Sequence, residues 1–186
     1  MAALAAGTAL LVAAAWLAAC RLRIRGTVPF VLAVLTIAGA IVVGSTIALS
    51  LLGAYEPGAM LLAGVVVLVA VGAWWATGGR PRPDVGELPS LAAVRAAALG
   101  HKVVAVMVAA ALGATAVELF QGLTIAPGTW DGLMYHLSRV ALWIQEGSAF
   151  GLDDGTAFQT QHQANGEMLY GWTMLLSDGD RFAALV

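Results

Sequence analysis

The chain has 186 residues, of which 60% are hydrophobic and 11% are charged, against roughly 25% charged in an ordinary soluble domain. That balance excludes a water-soluble globular protein and defines an integral membrane protein. The net charge of -2 at pH 7 is segregated along the chain with no basic surface patch, which excludes nucleic acid as a partner, and the single cysteine, Cys20, excludes an internal disulfide.

Residues 1–20 carry no charged side chain, and at 1.5 Å per residue they are long enough to cross a hydrocarbon core of ~30 Å. Leu17-Ala18-Ala19-Cys20 has the form of a lipobox. A signal peptide, however, places its positive charge before the apolar run, whereas Arg21, Arg23 and Arg25 come after it, so a spanning helix is expected. Thr27 to Leu52 is a second apolar run, with Pro29 close enough to its start to be tolerated. Tyr55-Glu56-Pro57-Gly58 then reads as a tight turn. Ala59 to Thr77 is a third span, closed by Trp74 and Trp75 at the interface.

Gly78 to Lys102 breaks the hydropathy and reads as a polar loop holding a short helix over Ser90 to Leu99. Val103 to about Phe120 is the fourth span. Glu118 lies near its far end, and an acid at membrane depth is a functional candidate. Seven of the nine Lys and Arg residues fall in loops 21–25 and 80–102, which a four-span arrangement puts on one side. The positive-inside rule makes that side cytoplasmic, so the N-terminus, the Tyr55 turn and everything after Gln121 are expected to face outward. The expected organisation is an all-α polytopic transmembrane helix bundle with an interfacial amphipathic helix in an outer loop. Residues 1–123 form the four-span region, 124–179 the outer loop and 180–186 the start of a truncated fifth span, signalled by Ser177-Asp178-Gly179-Asp180.

The outer loop concentrates the chemistry. Over 131–147 a helix is expected in which Asp131, Tyr135 and Arg139 fall at i, i+4 and i+8 on one stripe with His136 and Ser138 beside them. Leu133, Leu137, Val140, Ala141 and Ile144 form the opposite stripe, and Trp130 and Trp143 suit the membrane interface, so the helix is expected to lie flat on the bilayer. Asp131 follows a Pro127-Gly128 turn, a position that suits both a helix cap and an ionised catalytic carboxylate. Arg139 suits a phosphate and His136 a proton carrier near neutral pH, although the same residues also make an ordinary solvated face with a snorkelling arginine. Asp153, Asp154, His162, Asn165 and Glu167 are expected in a hydrated loop; they are secondary candidates, and their spacing supports no metal site. No Ser-His-Asp order, P-loop, dinucleotide fingerprint or zinc spacing occurs.

The runs Gly128 to Val140, Trp143 to Gly147 and Ser177 to Phe182 resemble the first large outer loop of bacterial membrane glycosyltransferases of the GT-C class, in the group related to protein mannosyltransferases. Gly132 stands where many relatives carry a second acid. The resemblance implies transfer of a sugar from a polyprenyl-phosphate donor to an acceptor on the outer face of the membrane. Asp131 matches the loop aspartate, and membrane lipid and the lipid-linked donor are the expected partners; no cofactor is expected, and participation of a divalent metal is left open without support from the sequence. A carboxylate in that place would take the acceptor's proton while Arg139 offsets the leaving phosphate. The class has further C-terminal transmembrane helices, so this polypeptide alone is expected to be inactive. The competing expectation is a non-catalytic polytopic subunit or transporter fragment, in which the polar helix only anchors and orients the bundle.

Overall fold

The computed structural model describes residues 1–86, 90–125, 132–150 and 165–183. Four helices there are long and apolar enough to cross a membrane: α1 (Ala2–Arg21), α2 (Thr27–Leu51), α3 (Pro57–Thr77) and α5 (Lys102–Thr124). Between the last two lies α4 (Leu91–Gly100), started by Ser90, whose Oγ accepts the Ala93 N–H at 3.2 Å. After α5 come a π-helical turn (Gly132–His136), α6 (Leu137–Glu146) and α7 (Asn165–Ser177). The expected all-α polytopic architecture and its four spans are present, with ends within about two residues of those read from hydropathy except at α5, which runs on to Thr124.

The local chemistry of the spans follows from the solvent they need. Hydroxyls in apolar helices turn back on the helix itself: Thr8 Oγ1 donates to the Leu4 carbonyl at 2.7 Å and Thr36 Oγ1 to that of Leu32 at 2.8 Å. Pro29 sits in the first turn of α2 and Pro57 opens α3, where the missing N–H has no intrahelical partner to lose. Small residues on α1, including Gly7, Ala14, Ala15, Ala18 and Ala19, are buried and let α2 and α3 approach closely. Their outward faces keep Leu32, Leu35, Leu62, Val66 and Val69 exposed, as a surface meeting acyl chains should. α5 stands apart from this three-helix bundle with α4 as its main neighbour, and Glu118 is exposed on it.

The two ends of the bundle differ. At one, Arg21 Nε donates to the Trp74 carbonyl at 3.1 Å, and the Gly26 N–H to that of Asp84 at 2.8 Å, so the two basic loops close on each other. At the other, α6 and α7 pack against one another and α7 seats on α1 and α2. The core cluster at this end joins Leu137, Val140 and Trp143 of α6, Met168, Met174, Leu175 and Leu176 of α7, and Tyr55 and Met60 of the hairpin.

Two sequence expectations change here. Glu167 is not in a hydrated loop but in the first turn of α7, a 13-residue helix buried on nearly every side. The apolar set Met168, Leu169, Trp172, Leu175 and Leu176 recurs at helical spacing and drives it into the bundle end. Trp143 is not interfacial but buried, because α7 covers the face of α6 that carries it. The π-turn also departs from the constant helical period expected for this stretch, in which Tyr135 and Arg139 were to share a polar stripe; Asp131, the first member of that stripe, lies outside the described residues. An i→i+5 turn takes up about one residue more than an α-turn, so Leu133 and Met134 emerge exposed while Arg139 turns inward beside Val140. After α7 the chain turns at Asp178, φ 58°; of the expected start of a fifth span at 180–186, residues 180–183 continue that turn and 184–186 lie outside the described residues.

Gly171 of α7 is a close-approach position, since a Cβ there would collide with the Tyr55 Oη and meet Val140 Cγ1 at 3.6 Å. Overpacking of this kind costs about 1–3 kcal/mol, more than the helix propensity gained by replacing a glycine. Gly171→Ala is expected to destabilise the protein in a thermal unfolding scan in detergent micelles. Gly39→Ala, at a position with open space around it, is expected to be neutral or stabilising in the same scan.

Candidate functional site

The site is built where α6, the π-turn and the first turn of α7 meet. Glu167 reaches back across 31 residues to His136 and 28 to Arg139: its Oε1 lies 2.8 Å from His136 Nδ1 and 3.4 Å from an Arg139 terminal nitrogen. Arg139 is 1% and Glu167 2% exposed, so both charges are withdrawn from water and are balanced by each other. A carboxylate facing a guanidinium acts as an acceptor, which puts the shared proton on Nδ1 and fixes the imidazole's tautomer when neutral. The His136 side chain is 33% exposed, so the ring is engaged on one side and open to solvent over part of its surface.

Aromatic rings frame these groups. The His136 ring lies 4.0 Å from that of Tyr135, tilted, and 6.4 Å from that of Tyr170 in an edge-on arrangement. The Arg139 guanidinium stands 5.9 Å from the centre of the buried Trp143 ring. The π-turn brings Tyr135 and His136 to the start of α6, and such turns accumulate where function needs a side chain re-aimed.

A clasp holds this assembly to the membrane hairpin. α6 ends at Gly147 in the left-handed conformation, φ 68°, whose N–H bonds the Trp143 carbonyl. The Gly147 carbonyl then accepts the Tyr55 N–H at 2.9 Å. Ser148 Oγ donates to the Ser50 carbonyl at 3.1 Å, and Ser50 Oγ accepts the Ala149 N–H at 2.9 Å. Tyr55 itself is buried against Thr46, Val140 and Gly171. Its Oη and Thr46 Oγ1 neighbour each other without aligned donor and acceptor, and neither has a well-formed hydrogen bond among the described residues. Burial pushes the Tyr55 phenol up to about 12, an effect the Thr46 hydroxyl opposes only in part.

Of the sequence candidates, Tyr135, His136, Arg139 and Glu167 come together, and Glu118, far along α5, does not join them. Asp131, Asp153, Asp154 and His162 lie outside the described residues. Arg139 is not the snorkelling or solvent-facing arginine of the surface-helix expectation: its guanidinium is buried and one terminal nitrogen bonds Glu167. The function of Glu167 as the hub was missed in the sequence, although an acid one residue before the Met168 apolar stripe was the available signal. Among the described residues no group of three or more His, Cys, Asp and Glu is placed to hold a metal ion. No family model matches the chain, and no curated protein or solved structure matches it either.

Removing one member of a buried ion pair leaves the other uncompensated, typically at about 3–5 kcal/mol. Glu167→Gln is therefore expected to destabilise the protein strongly in unfolding followed by tryptophan fluorescence. The double replacement Glu167→Met with Arg139→Met is expected to recover most of that loss, and simple additivity of the two single losses would contradict the pairing.

The Tyr55 shift has a definite sign. Its pKa in the fold lies above the ordinary value of 10.0, so the neutral phenol's contribution is complete below pH 10.0 and is lost as pH rises through about 12. A tyrosinate absorbance titration should contain a late step that disappears in Tyr55→Phe; an identical titration curve in that variant would contradict the assignment.

Proposed function

We propose that this chain carries the outer-loop site of a GT-C-like membrane glycosyltransferase, moving a sugar from a polyprenyl-phosphate donor to an acceptor at the outer face of the membrane. The observation that supports this most is the buried Arg139 and Glu167 pair with His136, carried on the π-turn that begins directly after Asp131. In this reading Asp131 is the carboxylate that takes the acceptor's proton. His136, its tautomer fixed by Glu167, relays or donates a proton beside it, and Tyr135 lines the approach. Arg139 is a positioning residue: it holds the Glu167 carboxylate in place, and its charge acts on the leaving phosphate through the field at the site and not through a direct bond.

The charge distribution supports the outer side. The basic loops gather at the end of the bundle opposite α6 and α7, and such loops are retained in the cytoplasm. A lipid-borne donor would then meet the site without leaving the bilayer surface.

A second reading has its own observation. A pair as deeply buried as Arg139 and Glu167 is also how a non-catalytic subunit would fasten an anchoring helix. The two readings part at Asp131. In the full-length protein, reconstituted with a polyprenyl-phosphate sugar, Asp131→Asn is expected to reduce transfer by roughly 10²–10⁴ while leaving the yield of folded protein unchanged. Undiminished transfer in that variant would overturn the catalytic assignment, and absence of transfer in the parent would favour the anchoring role.

A further inference from the structure

The end of the bundle opposite the site carries an arrangement that sugar transfer does not use. Residues 21–25 and 80–84 hold five arginines, Arg21, Arg23, Arg25, Arg80 and Arg82, against one acid, Asp84. Hydropathy alone makes these two separate loops. The fold binds them into one surface: the Gly26 N–H donates to the Asp84 carbonyl at 2.8 Å, Thr27 Oγ1 donates to the Val85 carbonyl, and Arg25 and Asp84 form an isolated parallel bridge. Trp75 Nε1 donates to the Pro81 carbonyl at 2.9 Å and so ties the start of the second loop to the end of α3.

The arginines divide by what they already do. Arg21 is engaged by the Trp74 carbonyl, lies 5.2 Å from the Trp74 ring and packs over Gly78. Arg25 faces Asp84 at 3.5 Å with both side chains largely exposed, a pairing that leaves much of its charge for other ligands. Arg23, Arg80 and Arg82 are exposed, and among the described residues none of them has an ion pair or hydrogen bond through its side chain. The parallel register places Arg23 and Arg82 on the same side of the bridge, each two residues before it. Arg23 and Arg80 both hold a left-handed backbone, φ 54°, a conformation that favours glycine. Arginine sits on two turns whose geometry asks for another residue, at the depth where helices leave the bilayer.

We propose that this joined surface is a docking site for the phosphate of an anionic phospholipid in the leaflet it faces, with Arg23, Arg80 and Arg82 as its donors. Charge complementarity selects that occupant: guanidinium groups fork onto phosphate oxygens, and a headgroup in the adjoining leaflet is the phosphate present at this depth. Asp84 is the one acid facing the cluster among the described residues, and its pairing with Arg25 leaves the other three to the lipid. The site is independent of the catalytic reading at the opposite end.

The test is lipid retention by the purified full chain in neutral detergent, read by native mass spectrometry after titration with phosphatidylglycerol or with phosphatidylcholine of the same acyl chains. The parent is expected to prefer phosphatidylglycerol by at least about tenfold, as attraction of a basic cluster to anionic headgroups requires. The triple change R23Q/R80Q/R82Q should remove the preference, and the matching triple change to lysine should retain it. Equal binding of the two lipids by the parent, or an undiminished preference in the glutamine variant, would overturn the proposal. Should the glutamine variant fail to fold, raising the salt on the parent decides the matter, since the preference must fall as screening increases, and a salt-independent preference would equally overturn it.

Discussion

A guanidinium and a carboxylate sealed from water at the junction of two helices constrain everything built around them. Neither Arg139 nor Glu167 tolerates that burial alone, so α6 cannot settle without α7, and α7 cannot settle without the bundle end that receives its apolar sides. The consequences run outward from the pair. Glu167 fixes the imidazole of His136, the π-turn fixes the angle at which Tyr135 and His136 leave the helix, and the Gly147 stop and the Ser50 bonds fix the whole unit to the turn between α2 and α3. Hydrophobic burial supplies most of the adhesion here, as in any core. The ion pair supplies register, because sliding either helix by one residue would separate two charges that have no access to water.

The two ends of the bundle solve opposite problems. At the end with α6 and α7 one ion pair, Arg139 with Glu167, is buried beneath aromatic rings, while Glu56, Glu146, Asp178, Asp180 and Arg181 around it are exposed. At the other the charges are many and exposed, and the backbone itself is bent to present them. That asymmetry is what orients a helical bundle in a bilayer. It also separates the site proposed for sugar transfer from the surface proposed to hold headgroups.

How much of this was legible in the sequence depended on which force shaped each part. The four spans were legible because a bilayer demands one simple thing, a continuous apolar run of sufficient length, and α1, α2, α3 and α5 meet it. Tyr135, His136 and Arg139 were legible as a polar group in an apolar setting. Their orientation was not, because a straight helix of constant period was assumed and the π-turn adds a residue that moves Arg139 from the polar face to the inner one. α7 was hidden for a different reason. Gly166 and Gly171 dilute its helical signal, and the burial of Glu167 depends on a partner 28 residues away that no local pattern announces. Trp143 was misplaced by the same omission, since an indole looks interfacial until something covers it.

The most direct measurement is hydrogen exchange of the backbone amides in detergent micelles, compared between residues 137–146 and 166–177. If the Arg139 and Glu167 pair joins α6 and α7 into one unit, both segments will be protected, and they will open together with a common free energy. Slow exchange in α6 beside unprotected, freely exchanging amides in α7 would contradict the account, because the carboxylate on which the site depends would then have no fixed place.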